Sequence, residues 1–142
     1  MDIVARCGNR CDLCPLYRDN ITRIGREAAN RGIYRYHQRE RGKAPDFGPC
    51  DGCLSEGETV RRGCRIRACA NGKVLPSCAH CADLFCGLLE ADMVIVESAM
   101  RDFGGTMPAA DYRWFVQPFL IRALLTSLRD ERISHTPARA GV

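Results

Sequence analysis

The stretch from Cys50 to Cys86, CDGCLSEGETVRRGCRIRACANGKVLPSCAHCADLFC, decides how this chain is read. It holds seven of the ten cysteines, as Cys50-x-x-Cys53, Cys64-x4-Cys69 and Cys78-x-x-Cys81-x4-Cys86. The other three form Cys7-x3-Cys11-x2-Cys14 near the N-terminus. A two-residue gap lets a tight turn aim two thiolates at one ion while the intervening amides point at the sulfurs, so these spacings read as metal knuckles. The stretch has too few alternating apolar residues for a wide sheet. It predicts turns, short helices and at most a small hairpin around Thr59 to Ile66.

Working outward, 142 residues fit one domain, expected over 1–132, with enough chain to bury a modest apolar core. No apolar run reaches the length of a membrane span, and Met1 to Arg6 leads directly into the first cysteines, so a soluble cytoplasmic protein is expected. In that reducing compartment cysteines at knuckle spacing act as ligands rather than disulfides. Ten cysteines exceed by two the number that a pair of four-ligand sites needs. The two left over are then buried, redox-active, or part of a third site completed by histidine.

Every cysteine is thus a candidate ligand: Cys7, Cys11, Cys14, Cys50, Cys53, Cys64, Cys69, Cys78, Cys81 and Cys86. Pairing is open at this level. Cys50, Cys53, Cys78 and Cys81 would make a ribbon-like pair of knuckles, and Cys50, Cys53, Cys64 and Cys69 a site from nearer neighbours. The trio Cys7, Cys11 and Cys14 needs a fourth ligand, Cys86 or another downstream cysteine, which would fasten the N-terminus to the later segment. Such a clasp couples metal binding to folding, because structural zinc contributes on the order of 10 kcal/mol. All-thiolate sites suit about two zinc ions, or a 4Fe-4S cluster as the alternative. Around excess negative charge, Arg65, Arg67 and His80 are candidates for supporting the sulfurs from outside.

The remaining chain reads as helical. Met1 to Pro15 is a loop, and apolar residues from Leu16 to Ile33 recur at helical intervals, predicting one helix to about Gln38 broken at Gly25 or Gly32. Gly42 to Pro49 is a connecting loop. Leu88, Leu89, Asp92, Val96, Ala99, Met100 and Phe103 place one face of a helix on the core, ended by Gly104-Gly105. A second helix starts with Thr106 as cap and Pro108 in the first turn, carries Trp114 and Phe115 inward, and restarts at Pro118. Its continuation through Phe119, Ile121, Leu124, Leu125 and Leu128 completes an expected helical hairpin, whose apolar faces read as core packing. Residues 133–142 are expected to be an unstructured tail. The fold class is therefore mainly α, a small helical protein with irregular cysteine-rich loops, knuckle-like segments and a C-terminal hairpin.

The net charge of +4 is carried almost wholly by arginine, since Lys43 and Lys73 are the only lysines. On a helix, Arg31, Arg35 and Arg39 form one cationic stripe, a candidate anion-binding face and the basis of a nucleic-acid reading. A solvated helix face is the simpler account. No nucleophile and base pair, phosphate-binding loop or acid/base dyad stands out, so no catalytic residue is assigned.

Two resemblances bear on these residues. Cys7-x3-Cys11-x2-Cys14 resembles the cluster-binding triplet of radical S-adenosylmethionine enzymes, but the chain lacks the length and strand pattern of their barrel. The whole arrangement resembles the uncharacterised family known as domain of unknown function 3795, over Cys7 to Leu89. The resemblance rests on Cys7-Gly8, Cys11, Cys14-Pro15 and Tyr17, then Cys50-x-Gly52-Cys53, Cys64-x-Ile66-Arg67-x-Cys69-Ala70, and Cys78-x-x-Cys81 followed by Cys86. Leu84-Phe85-Cys86 departs from it by lacking the proline usual before the last cysteine. The resemblance implies metal binding, assumed to be zinc, in small proteins common among anaerobic bacteria and archaea, and no established reaction. Three functions follow as expectations: a zinc-stabilised interaction or adaptor protein with a protein partner, an iron-sulfur electron carrier or redox subunit, and a nucleic-acid binder.

Overall fold

The computed structural model describes residues 2–37 and 45–135, with side chains through residue 131. Its described residues form six α-helices and three short 3-10 turns, and no strand. Two isolated bridges, Val4 with Arg10 and Tyr17 with Cys50, are the only extended pairings among them.

The helix expected after Pro15 forms as two, α1 (Arg18–Ile24) and α2 (Arg26–His37). Gly25 separates them at φ 93°, where a Cβ would be strained, while its N–H still bonds to Ile21 O at 2.8 Å. Gly32 breaks nothing. A Cβ there would lie 1.9 Å from Phe115 Cζ, so the missing side chain lets the aromatic ring lie against α2. The expected connecting loop after α2 is described only from Pro45 onward, and Gln38 to Ala44 lie outside the described residues.

Of the turns, short helices and at most a small hairpin expected in the cysteine-rich stretch, turns and a short helix form and no hairpin does around Thr59 to Ile66. Instead the chain turns into α3 (Arg65–Gly72), where Ile66 and Ala70, one helical turn apart, bury a single face. A hairpin strand would have needed a partner, and the neighbouring chain is spent on cysteine turns.

The central helix is α4 (Gly87–Phe103), burying Leu89, Asp92, Met93, Val96 and Ala99. Met93 joins the expected stripe and Met100 leaves it, being 40% exposed, because Met100 is rotated about 100° from buried Ala99. The next helix, α5 (Ala109–Phe115), begins after Pro108, whose φ of −59° presets the entry. Thr106 does not cap it; its hydroxyl reaches back to Phe103 O at 3.4 Å. A 3-10 turn at Gln117–Phe119 contains Pro118 and leads into α6 (Ile121–His135), which runs past the expected start of the tail at 133. Residues 136–142 lie outside the described set.

Two apolar clusters make the core, and α4 belongs to both. Leu89 and Met93 pack with Ala5, Cys7, Ile66, Cys78, Ile121 and Leu125. One and two turns on, Val96 and Ala99 pack with Ile33, Tyr36, Phe115 and Phe119. Leu89, Met93 and Leu125 are at most 2% exposed, each contributing roughly 1.5–3 kcal/mol of burial. Polar links join the layers: Arg122 on α6 pairs with Glu97 at 2.8 Å and Glu90 at 3.4 Å on α4, and Tyr36 on α2 donates to Asp111 on α5. α2 also packs on α4 and α5, while α6 lies against the Cys78–His80 turn. No helix among the described residues is long and apolar enough to cross a membrane.

Candidate metal centres

The N-terminal loop is built to present cysteines. The Val4 to Arg10 bridge closes a tight lobe around Cys7, and the following 3-10 turn, Cys11–Leu13, delivers Cys11 and Cys14. Arg10 and Asp12 lock this turn: Arg10 Nε and Nη2 donate to the carboxylate at 2.8 and 2.6 Å, and the Ile3 N–H adds a third bond at 2.9 Å. Buried Asn20, on α1, donates to Asp12 O at 2.7 Å and Cys14 O at 2.9 Å. The second knuckle is then laid beside the first. Cys50 N donates to Leu16 O at 2.9 Å and Arg18 N to Cys50 O at 2.8 Å. Gly52, at φ 97°, turns the chain so that the Cys53 N–H meets Cys11 Sγ at 3.4 Å.

Cys11, Cys14, Cys50 and Cys53 consequently line one cavity of about 330 Å³. A second, of about 20 Å³, is lined by Cys69 on α3, by Cys78 and Cys81 on the next knuckle, and by Cys86 before α4. The last is room for a single ion. Cys7 and Cys64 line neither cavity. Cys64 stands just before α3, where its charge would raise both the Cys7 and the Cys78 thiols.

Neither four-cysteine set weighed from the sequence lines one cavity; Cys11 and Cys14 share theirs with the downstream Cys50 and Cys53, and Cys86 lines the other. Hydrogen bonds also fasten the N-terminus to the later segment. Cys78 N donates to Arg6 O at 2.8 Å, and the Arg6 guanidinium to Leu75 O at 2.9 Å.

Electrostatically the sulfurs fall into two kinds. Burial pushes the Cys7 and Cys14 thiols up to about 12 and the Cys78 thiol to about 11. Cys11 and Cys53 act as a pair: a hydrogen bond from the Cys53 thiol lowers Cys11, and the same bond, then burial, raises Cys53. Cys81 receives the Asp83 N–H at 3.4 Å and Lys73 Nζ at 3.4 Å.

Of the supporting side chains expected, Arg67 lies near a sulfur and Arg65 does not. Arg67 holds the carbonyls of Arg61 and Arg62, each at 2.9 Å, and with Arg61 offsets the rise at Cys53. Arg65 is exposed and donates to no sulfur among the described residues. Lys73, one helical turn after Cys69, takes that place at the second group, and the i, i+4 spacing was the signal for it. Arg61, paired at 2.6 Å with buried Asp92 from 31 residues away, carries no local signal. On the arginine stripe, Arg31 pairs with Glu27, and Arg35 lies over Tyr36 and Phe103 at 5.5 and 5.8 Å; Arg39 falls outside the described residues.

As placed, no three Cys, His, Asp or Glu side chains among the described residues come close enough together to hold an ion. The sulfurs of each group line a cavity without converging on a point. Two features nonetheless fit a thiophilic metal. Backbone N–H groups aim at Cys11 and Cys81, as thiolates require. Among the described residues, the only buried side-chain atoms without a partner are Asn9 Oδ1, in the lobe of the first group, and His80 Nδ1, inside the knuckle of the second.

Fold and site together define a small helical protein in which eight of the ten cysteines line two cavities, four on each. The chain belongs to the family described as protein of unknown function (DUF3795), whose profile matches residues 3–91 and so takes in all ten cysteines. No curated protein and no solved structure matches it. Helices α5 and α6 lie beyond the matched residues.

Proposed function

We propose that the chain is a metal-binding protein in which the two four-cysteine groups each take one zinc ion in a structural role, fixing knuckle-like loops that serve an interaction with a protein partner. The observation that supports this is the division of the cysteines: four on each cavity, and two on neither. Zinc favours four thiolates in a closed tetrahedral set, and each group offers that number. Arg67 and Arg61 near the first group, and Lys73 at the second, supply charge that offsets a zinc tetrathiolate. The arginines of α2 are already engaged with Glu27 and with aromatic rings, which sets the nucleic-acid reading behind this one.

The test is metal analysis with a visible spectrum on protein purified without air. About two zinc per chain and no visible absorption supports the proposal. Iron with acid-labile sulfide and absorption near roughly 400 nm would replace it with the 4Fe-4S reading and an electron-transfer role.

A further inference from the structure

Among the described residues, two that are not glycine have a backbone in the left-handed region, Val74 at φ 55° and Phe85 at φ 62°, and both lie between Cys69 and Cys86. Val74 has a local reason. It ends α3, where its N–H bonds to Asn71 O at 3.0 Å and the Leu75 N–H to Ala70 O at 2.9 Å. Phe85 sits in the turn between Cys81 and Cys86, ahead of α4, where a bulky side chain at positive φ is strained. Such a conformation persists only where the surroundings fix it.

What fixes it comes from α6. The guanidinium carbon of Arg122 lies 5.2 Å from the centre of the Phe85 ring, and Phe85 packs against the cluster that holds Leu89, Ile121 and Leu125. The same guanidinium pairs with Glu97 at 2.8 Å and Glu90 at 3.4 Å. Glu90 in turn donates its backbone N–H to Cys86 O at 2.9 Å. Arg122 thus grips the residue before Cys86 and the helical turn after it. The opposite side of the second group also rests on α6, since Ile121 and Leu125 share a buried cluster with Cys78 and Ala79. Two of the four cysteines on the small cavity therefore take their support from a helix beyond the residues that the family profile matches. We infer that Arg122 is a positioning residue for Cys86, and that through it the C-terminal helix completes the second cysteine group as a metal site. This rests on the metal proposal for that group, and adds that a segment outside the family profile sets its affinity.

The test uses the full chain, with metal and without. Loaded with cadmium-113 as a spin-active stand-in for zinc, it should give one resonance for each group, and competition with a chelator reads the two affinities separately. Arg122→Gln removes the cation; Phe85→Leu removes the ring and keeps an apolar side chain. Each should weaken the second group about two- to fivefold, as loss of an exposed cation–π contact implies, and leave the first unchanged. The double variant should be no weaker than the poorer single one, because both changes remove the same contact. Phe85→Tyr keeps a ring and should stay at the wild-type affinity. In the reduced, metal-free chain, both single variants should raise the rate at which iodoacetamide alkylates Cys86 relative to Cys50, read by mass spectrometry. An unchanged second group, equal weakening of both groups, or Cys86 alkylation at the wild-type rate overturns the positioning role and leaves the metal proposal standing. A wild-type chain that takes up no metal overturns the metal proposal, and the alkylation rates then decide the positioning role alone.

Discussion

Lys73 Nζ stands 3.4 Å from Cys81 Sγ, bridging the end of α3 and the knuckle that follows it. The contact raises the lysine, as expected for an ammonium beside a sulfur that carries negative charge. Removing the cation leaves the Asp83 N–H as the other donor to that sulfur. Lys73→Ala should therefore weaken metal at the second group about tenfold and leave the first group unchanged. Competition with a chromophoric chelator, at low and high salt, measures it. The deficit should shrink as salt rises, because Lys73 is exposed.

Gly25 and Gly32 look alike in the sequence, as two helix-weakening residues in one apolar repeat, but the structure uses them differently. At Gly25 there is open space and a φ of 93°, so Gly25→Ala is strained only in the backbone, by about 1 kcal/mol. At Gly32 the backbone is helical and alanine would be favoured, yet its Cβ would fall 1.9 Å from the Phe115 ring. Overpacking of that kind costs about 1–3 kcal/mol, more than the helix-propensity gain of about 1 kcal/mol. Urea denaturation should place Gly32→Ala below wild type and at or below Gly25→Ala.

The same contrast marks what the sequence could reveal. Helical periodicity is local, so the positions of α2, α4 and α6 were legible, with an error where a neighbour decides, Met100 for Met93; of the turns, short helices or small hairpin expected near Ile66, a short helix formed. Cysteine spacing is local too, and it marked all ten cysteines as candidates without sorting them into groups. Which knuckles meet is a long-range matter. Cys50 is brought to Cys14 by backbone bonds to Leu16 and Arg18, and Cys69 to Cys78 by the packing of Ile66 and Ala70 against Leu89. No spacing in the chain encodes these approaches, nor the 31-residue reach from Arg61 to Asp92.

The clasp under the first group should show itself in acid. Asp12 is held below its ordinary value chiefly by the hydrogen bond from Arg10, with the Ile3 N–H assisting. A depressed carboxyl stabilises the fold above its unfolded value, near 3.8, and that contribution is lost as pH falls through the lower folded value. Asp12→Asn should cost about 1–2 kcal/mol at neutral pH. Below roughly pH 3 the gap between variant and wild type should close. Equilibrium unfolding followed by circular dichroism across pH 2–7 tests both statements.

Alkali should act on the metal-free chain in the opposite sense. The Cys7 and Cys14 thiols are raised by burial from 9.0 to about 12, so they favour the folded state while both states are protonated. Their contribution is present below about pH 9 and is lost as pH rises toward 12, because the unfolded chain ionises first. Metal-stripped protein under reductant should thus lose thermal stability steadily above pH 9. Zinc-loaded protein should resist, and zinc uptake at pH 7 should release protons measurable in weak buffer.

Cys64 and Cys86 separate the two roles that cysteines play here. Cys86 lines the small cavity with Cys69, Cys78 and Cys81, so Cys86→Ser should remove about one zinc per chain, although serine is as good a cap for α4 there as it is for α3 at Cys64. Cys64 lines neither cavity and occupies the position before α3 without a side-chain capping bond. Serine is a preferred residue at that position, since its hydroxyl accepts from a free N–H of the first turn, worth about 1 kcal/mol. Cys64→Ser should keep both zinc ions and melt no lower than wild type. Loss of a zinc ion from Cys64→Ser would make Cys64 a ligand and dissolve the four-and-four division on which the metal proposal stands.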